Sequence, residues 1–271
     1  MANETIFGDN RPYKLQWGSD RPGHIVFLVD LSGSMEDKID YVIDALQKTC
    51  QSIVTRCISG AQVKNRVSVS IYGYNYHIVE LLKTDAHGLA VAVRDARKEQ
   101  RALFDKNGIA KPEYQTCMKM AFDKAKQDVE QWISEQKAQG RTEIPAPIVI
   151  NITDGEPYEG QDVSQEEVFD KTRRAAEALM NVKTVDGNVR IFNVHHDPTT
   201  TDSSLSFPTS QPTINEHMAF LYQVSSPMYE DLVASAQSYG FPNAAIGSHC
   251  MISNEKDIGR VASFIEWGSS K

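Results

Sequence analysis

Val26, Phe27, Leu28 and Val29 form an unbroken apolar run, the pattern of a strand buried on both faces of a parallel sheet. From Ile39 the period changes. Ile39, Val42, Ile43, Leu46, Cys50, Ile53, Val54 and Cys57 recur at three- and four-residue spacing, which predicts one apolar face of a helix. The switch from strand to helix falls within DLSGSM, residues 30–35.

Further along, Val67–Tyr74 alternates as a strand, and His77–Leu82 follows a polar turn at Asn75 and Tyr76, predicting an antiparallel hairpin. Ala86–Arg101 reads as a charged amphipathic helix. A longer helix carries Met118, Ala121, Phe122, Ala125, Val129, Trp132 and Ile133 on one face and ends at Gly140. The strand PIVINIT, 147–153, then stops at a second aspartate, Asp154. A helix at Glu166–Met180, a strand at Val189–His196, a helix at Met228–Tyr239, a strand near Ala245–Ile252 and a helix at Lys256–Trp267 complete the pattern. Alternating strands and helices predict an α/β fold of the Rossmann-like, doubly wound kind, with helices on both faces of a mostly parallel sheet. Asp197–His217, rich in Ser, Thr and Pro, is expected to be a loop that contributes little to the core.

Composition narrows the function classes. The net charge is −8 and no long basic run occurs, which disfavours nucleic acid and anionic membranes as partners. The longest apolar runs fall far short of the ~18 residues of a spanning helix. The first residues lack the basic start and apolar stretch of a secretory signal, so the expected location is cytoplasmic. Cys50, Cys57, Cys117 and Cys250 contain no Cys-x-x-Cys pair and are expected to be core thiols.

The two strand-end aspartates carry the candidate chemistry. In an open parallel sheet, ligands bind beyond the carboxyl ends of the strands, where the strand order reverses. If their strands are neighbours, Asp30 and Asp154 converge there, and Ser32 and Ser34 bring two hydroxyls from the intervening loop. Such an oxygen-only set suits Mg²⁺, Mn²⁺ or Ca²⁺ rather than zinc. A plainer alternative is that Ser34 and Asp37 form a capping box that starts the helix without any ion.

FLVDLSGSM together with VINITDGEP resembles the von Willebrand factor type A (VWA) domain and its metal-ion-dependent adhesion site. The resemblance implies a sheet with one short antiparallel edge strand, and a single domain over residues 23–271 behind an N-terminal extension, 1–22. It also implies a metal set of Asp30, Ser32, Ser34, Thr116 and Asp154, although Tyr114 and Gln115 stand where the family commonly has glycines. The closing segment MISNEKDIGRVASFIEWGS is similar to that of bacterial VWA proteins associated with tellurium resistance and stress response, which implies an intracellular adaptor.

The expected function is therefore metal-dependent protein binding: a bound Mg²⁺ (or Mn²⁺ or Ca²⁺) keeps a position that an Asp or Glu of a protein partner completes. Tyr74, Tyr76, Tyr114 and Tyr158 are candidate contact residues around it. His195 and His196, being adjacent in a strand, face opposite sides and are not expected to share an ion. No catalytic residue and no enzymatic activity are expected. The rival reading is a Mg²⁺-dependent hydrolase or phosphotransferase with Asp30 as nucleophile. Against it, Ser32 stands where haloacid-dehalogenase-type enzymes need a second Asp, and no Gly-rich phosphate loop with its Lys occurs. A purely structural domain with a vestigial site is a third reading.

Overall fold

A computed structural model describes residues 13–104, 115–154, 157–196, 201, 203–213 and 216–269. The chain runs β1 (Gly23–Asp30), a 3-10 turn (Gly33–Met35), α1 (Ile39–Cys57), a small hairpin of β2 (Ile58–Ser59) and β3 (Gln62–Val63), β4 (Val67–Tyr74), β5 (Ile78–Asp85) and α2 (Ala86–Lys98). It continues through α3 (Met118–Ala138), β6 (Ile148–Thr153), α4 (Gln165–Met180), β7 (Arg190–His195), β8 (Leu205–Ser206), α5 (Glu216–Gln223), α6 (Glu230–Ser238), β9 (Met251–Ser253) and α7 (Ile258–Gly268).

Seven strands form one sheet in the order β5-β4-β1-β6-β7-β9-β8. The chain leaves β1 towards β4 on one side and later returns through β6 on the other. β1 and β6, parallel neighbours, therefore flank the point where strand order reverses. The expected doubly wound sheet is present, with β5 antiparallel to β4 at one edge. That edge strand is eight residues long rather than short, and a second antiparallel strand, the two-residue β8, closes the opposite edge.

Alternation along the central strands divides the core. Ile25, Phe27 and Val29, with Ile148, Ile150 and Ile152, pack under α1, α2, α6 and α7. Val26 and Leu28, with Tyr72, Tyr74 and Val149, pack under α3, α4 and α5. Local signals fix the helix ends. Asp85, Ser164 and Asp257 cap α2, α4 and α7 by accepting from the backbone N–H of Gly88, Glu167 and Gly259. Gly140, at φ +79°, follows α3 in the left-handed conformation that other residues resist.

Two regions outside the regular alternation of strands and helices pack on the core. The described part of the N-terminal extension packs on the domain: Tyr13 is buried with its ring 4.0 Å from the Arg190 guanidinium, and Leu15 N–H donates to Asp186 Oδ1 at 2.9 Å. Trp17 lies so close to Gly23 that a Cβ there would sit 2.1 Å from its ring.

The Ser/Thr/Pro-rich stretch is more than a loop. It contains β8, and α5 begins before its end. Phe207, 2% exposed, enters the core against Phe241, Phe264 and Trp267, with ring centroids 5.2–5.5 Å away. Phe207 holds φ at +51°, a conformation costing about 1–2 kcal/mol for a residue with a Cβ. Burying its ring, worth roughly 1.5–3 kcal/mol, offsets that cost.

Candidate functional site

Asp30 ends β1 fully buried. Its Oδ1 accepts from the Ser32 backbone N–H at 2.9 Å, and its Oδ2 accepts from Thr153 Oγ1 at 2.7 Å. Thr153 reaches it because β1 and β6 pair in parallel, Val29 opposite Ile152, so that the last residues of both strands adjoin. Ser32 Oγ and Ser34 Oγ are 3.1 Å apart, and Ser34 Oγ donates to Asp154 Oδ1 at 3.0 Å. Lys38 Nζ donates to the other oxygen, Asp154 Oδ2, at 2.6 Å. The Asp154 backbone carbonyl lies 3.1 Å from His195 Nε2.

Asp30, Ser32, Ser34 and Asp154 thus form one hydrogen-bonded cluster at the point where strand order reverses. Ser34 makes no capping box. The 3-10 turn lacks a side-chain cap, and α1 starts only at Ile39 behind Lys38, also without one. Thr116 is tied by its backbone to the loop that follows Asp154. Its N–H and carbonyl exchange hydrogen bonds with Tyr158, in the loop that follows Asp154, at 2.8 and 3.1 Å. The next residue, Cys117, donates its N–H to the carbonyl of Asn75 in the β4–β5 turn.

Burial, the hydrogen-bond inventory and the neighbouring Asp154 carboxylate together set the chemistry of Asp30. Loss of water pushes its carboxyl up to about 6 and the like charge of Asp154 adds to this, against neutral donors from Thr153 and Ser32. The donor set is two carboxylates and hydroxyls, and among the described residues no three His, Cys, Asp or Glu side chains converge on a metal position. Such oxygens fit a hard divalent cation.

The remaining candidates separate. Tyr74 is not a surface contact residue: it is fully buried, because it shares a face with Tyr72 two residues earlier and points under α3. Its Oη donates to Asn151 Oδ1, Asn151 Nδ2 donates to Asn193 Oδ1, and Asn193 Nδ2 donates to Ser225 Oγ, each at 2.9 Å, making a polar row beneath the rim. Tyr76 is 53% exposed, Tyr158 is half-buried, and Tyr114 lies outside the described residues. His195 and His196 are both buried, His195 against Ser253 and the Asp154 carbonyl, His196 against the Glu255 carbonyl. Thr153 and Lys38 were not anticipated. Thr153 could have been found from strand parity, since it follows Val149 and Asn151 on the face that Asp30 shares with Val26 and Leu28.

No family model and no curated protein matches the chain. Solved structures do resemble it. The pilus adhesin SpaC from Lactobacillus rhamnosus GG superposes with a TM-score of 0.50 over 95% of this chain and 30% of its own, at 12% identity. The fold is of the von Willebrand factor A type. The vWF domain of the type V pili tip protein Mfa5 from Porphyromonas gingivalis matches at TM-score 0.34 and 14% identity, over 55% of this chain and 43% of that one. Manganese-loaded TRAP from Plasmodium vivax matches at 0.40 and 20%, over 65% and 57%. This chain spans less than two thirds of each of these solved chains. No described helix is long and apolar enough to cross a membrane.

Proposed function

We propose that this VWA-type domain is a protein-interaction module whose contact is completed by a divalent ion, Mg²⁺ in the first instance. Asp30, Ser32, Ser34 and Asp154 would hold the ion, with Thr116 brought up by its bridge to the loop after Asp154. The bound ion supplies an electrophilic position for an acidic side chain of a protein partner. The observation that carries this reading is the meeting of two buried-edge carboxylates and two hydroxyls at one point of the sheet, joined by the contacts at 3.1 and 3.0 Å.

The protein's own residues shape the rest of the contact. Tyr41, Tyr76 and Met120 are 50%, 53% and 42% exposed, and they lie on α1, the β4–β5 turn and the first turn of α3, the elements that frame the cluster. They offer apolar area around a charged centre, the usual anatomy of a binding surface. All four cysteines are free and buried, which suits the reducing cytoplasm, where we place the module as an adaptor.

Calorimetric titration with Mg²⁺ and Mn²⁺ tests the ion. Saturable binding by the wild type, lost in the Ser32→Ala, Asp154→Ala double variant, is the expected result; equal binding by both, or by neither, overturns the site. Comparing the proteins that co-purify with wild type and with Asp30→Ala, with and without EDTA, then identifies the partner. Sustained Mg²⁺-dependent phosphatase activity lost on Asp30→Asn would replace this reading with the enzymatic one.

A further inference from the structure

Lys38 has no place in the oxygen set, yet its ammonium is seated in it. Nζ lies 2.6 Å from Asp154 Oδ2, with the two side chains 13% and 1% exposed. We propose that Lys38 is a tethered competitor for the divalent ion, contesting Asp154 and thereby setting the affinity of the site. This rests on the metal-binding reading above.

Three observations carry it. First, the position is a poor one for a lysine on helical grounds alone. Lys38 precedes the first residue of α1 and makes no side-chain cap there, so its charge opposes the positive end of the helix dipole. Its contact with Asp154 compensates for that opposition.

Second, the cation is unevenly shared. Among the described residues Asp30 accepts from the neutral Thr153 hydroxyl and Ser32 N–H, whereas Asp154 receives the Ser34 hydroxyl and the Lys38 charge. One carboxylate of the pair is thus already neutralised by the chain itself.

Third, charge sets the two cations against each other. A hard divalent ion binds oxygen at about 2.0–2.6 Å. An ion on the Asp154 carboxylate would share that small group with an ammonium already in hydrogen-bond contact, and the two like charges repel at close range in a water-poor setting. The flexible four-carbon stem of a lysine lets its head withdraw to the rim, as a rigid group could not.

Two measurements test this, both using Mg²⁺ as the probe. Titration calorimetry should show Lys38→Met binding Mg²⁺ about tenfold more tightly than wild type, or more. Lys38→Arg, which keeps the charge, should stay at or below the wild-type affinity. In the wild type, acetylation of Lys38 by an amine-reactive ester, mapped by mass spectrometry, should rise severalfold when Mg²⁺ replaces EDTA. This second readout decides the matter if Lys38→Met fails to fold. Binding by Lys38→Met no tighter than wild type, or an unchanged labelling rate, overturns the competitor role while leaving the metal site standing. Absence of Mg²⁺ binding in all three proteins overturns the site and the competitor together.

Discussion

Asp30 and Asp128 are both carboxylates sunk in the core, one fully buried and the other 1% exposed, yet their surroundings are opposite. Asp128, on α3, accepts from Lys83 Nζ at 2.5 Å and Tyr72 Oη at 2.9 Å, and lies 2.9 Å from His24 Nε2. Burial alone would raise its carboxyl, but the His24 hydrogen bond and charge, with Lys83, hold it far below the usual range. Asp30 receives only neutral hydrogen bonds, sits near a second carboxylate, and is pushed up to about 6. The chain finishes the electrostatics of Asp128 by itself and leaves those of Asp30 open. A buried carboxylate with its countercharge in place is architecture; one without it is what the proposed ion site requires.

The contrast breaks most visibly at Asp128. Asp128→Ala strands Lys83 and His24 beside a buried gap, and urea unfolding should show a loss of about 3–5 kcal/mol. A loss below about 1 kcal/mol would mean that the network is not needed.

The opposite sign is expected at Asp30. Its native carboxyl binds a proton more tightly than the unfolded chain does, so in EDTA its contribution to stability falls as pH rises from about 4 to about 6 and then levels off. Asp30→Asn should therefore stabilise the EDTA-treated protein by about 2–3 kcal/mol at pH 8 and by almost nothing at pH 4. Stability contributed by Asp128 runs the other way, complete above the unfolded carboxylate's value and lost as pH drops below about 4. Destabilisation by Asp30→Asn at both pH values would show that Asp30 already has a countercharge.

The smallest effect sharpens the comparison. Thr153→Val keeps the shape but removes the hydroxyl donor to Asp30 Oδ2, which should cost about 1–2 kcal/mol at pH 8. Near pH 4, where the carboxyl carries its own proton, the loss should shrink. An equal loss at both pH values would assign Thr153 to packing instead.

Most of this architecture is legible in the sequence because its helices and strands have clean periods. The run Val26–Val29 and the face from Ile39 to Cys57 identify β1 and α1, and the aspartates ending two apolar runs place Asp30 and Asp154 at one edge. What escapes notice is set by tertiary contact. Phe207 sits among Ser, Thr and Pro, so its lone aromatic ring gives no period, although three core aromatics receive it. α5 is only eight residues long and begins where the polar stretch ends, too short to outweigh that composition. Lys38 lies outside the spacing of the oxygen motif, and its contact spans 116 positions of sequence. Tyr74 is misplaced by attention to its nearness to the turn, when parity with Tyr72 fixes its face.

The polar row from Tyr74 through Asn151 and Asn193 to Ser225 has a consequence for how the sheet is assembled. Ile148, Ile150 and Ile152 repeat one side chain at every second position, and an apolar ladder of that kind fits almost as well after a slip of two residues. The row forbids the slip. Moving β6 along β7 would separate Asn151 from Asn193 and leave buried amides unpaired, at about 1–3 kcal/mol for each stranded group. The greasy strands supply adhesion without alignment, and a few amides act as the dowels that hold one alignment, the one in which the ends of β1 and β6 finish level.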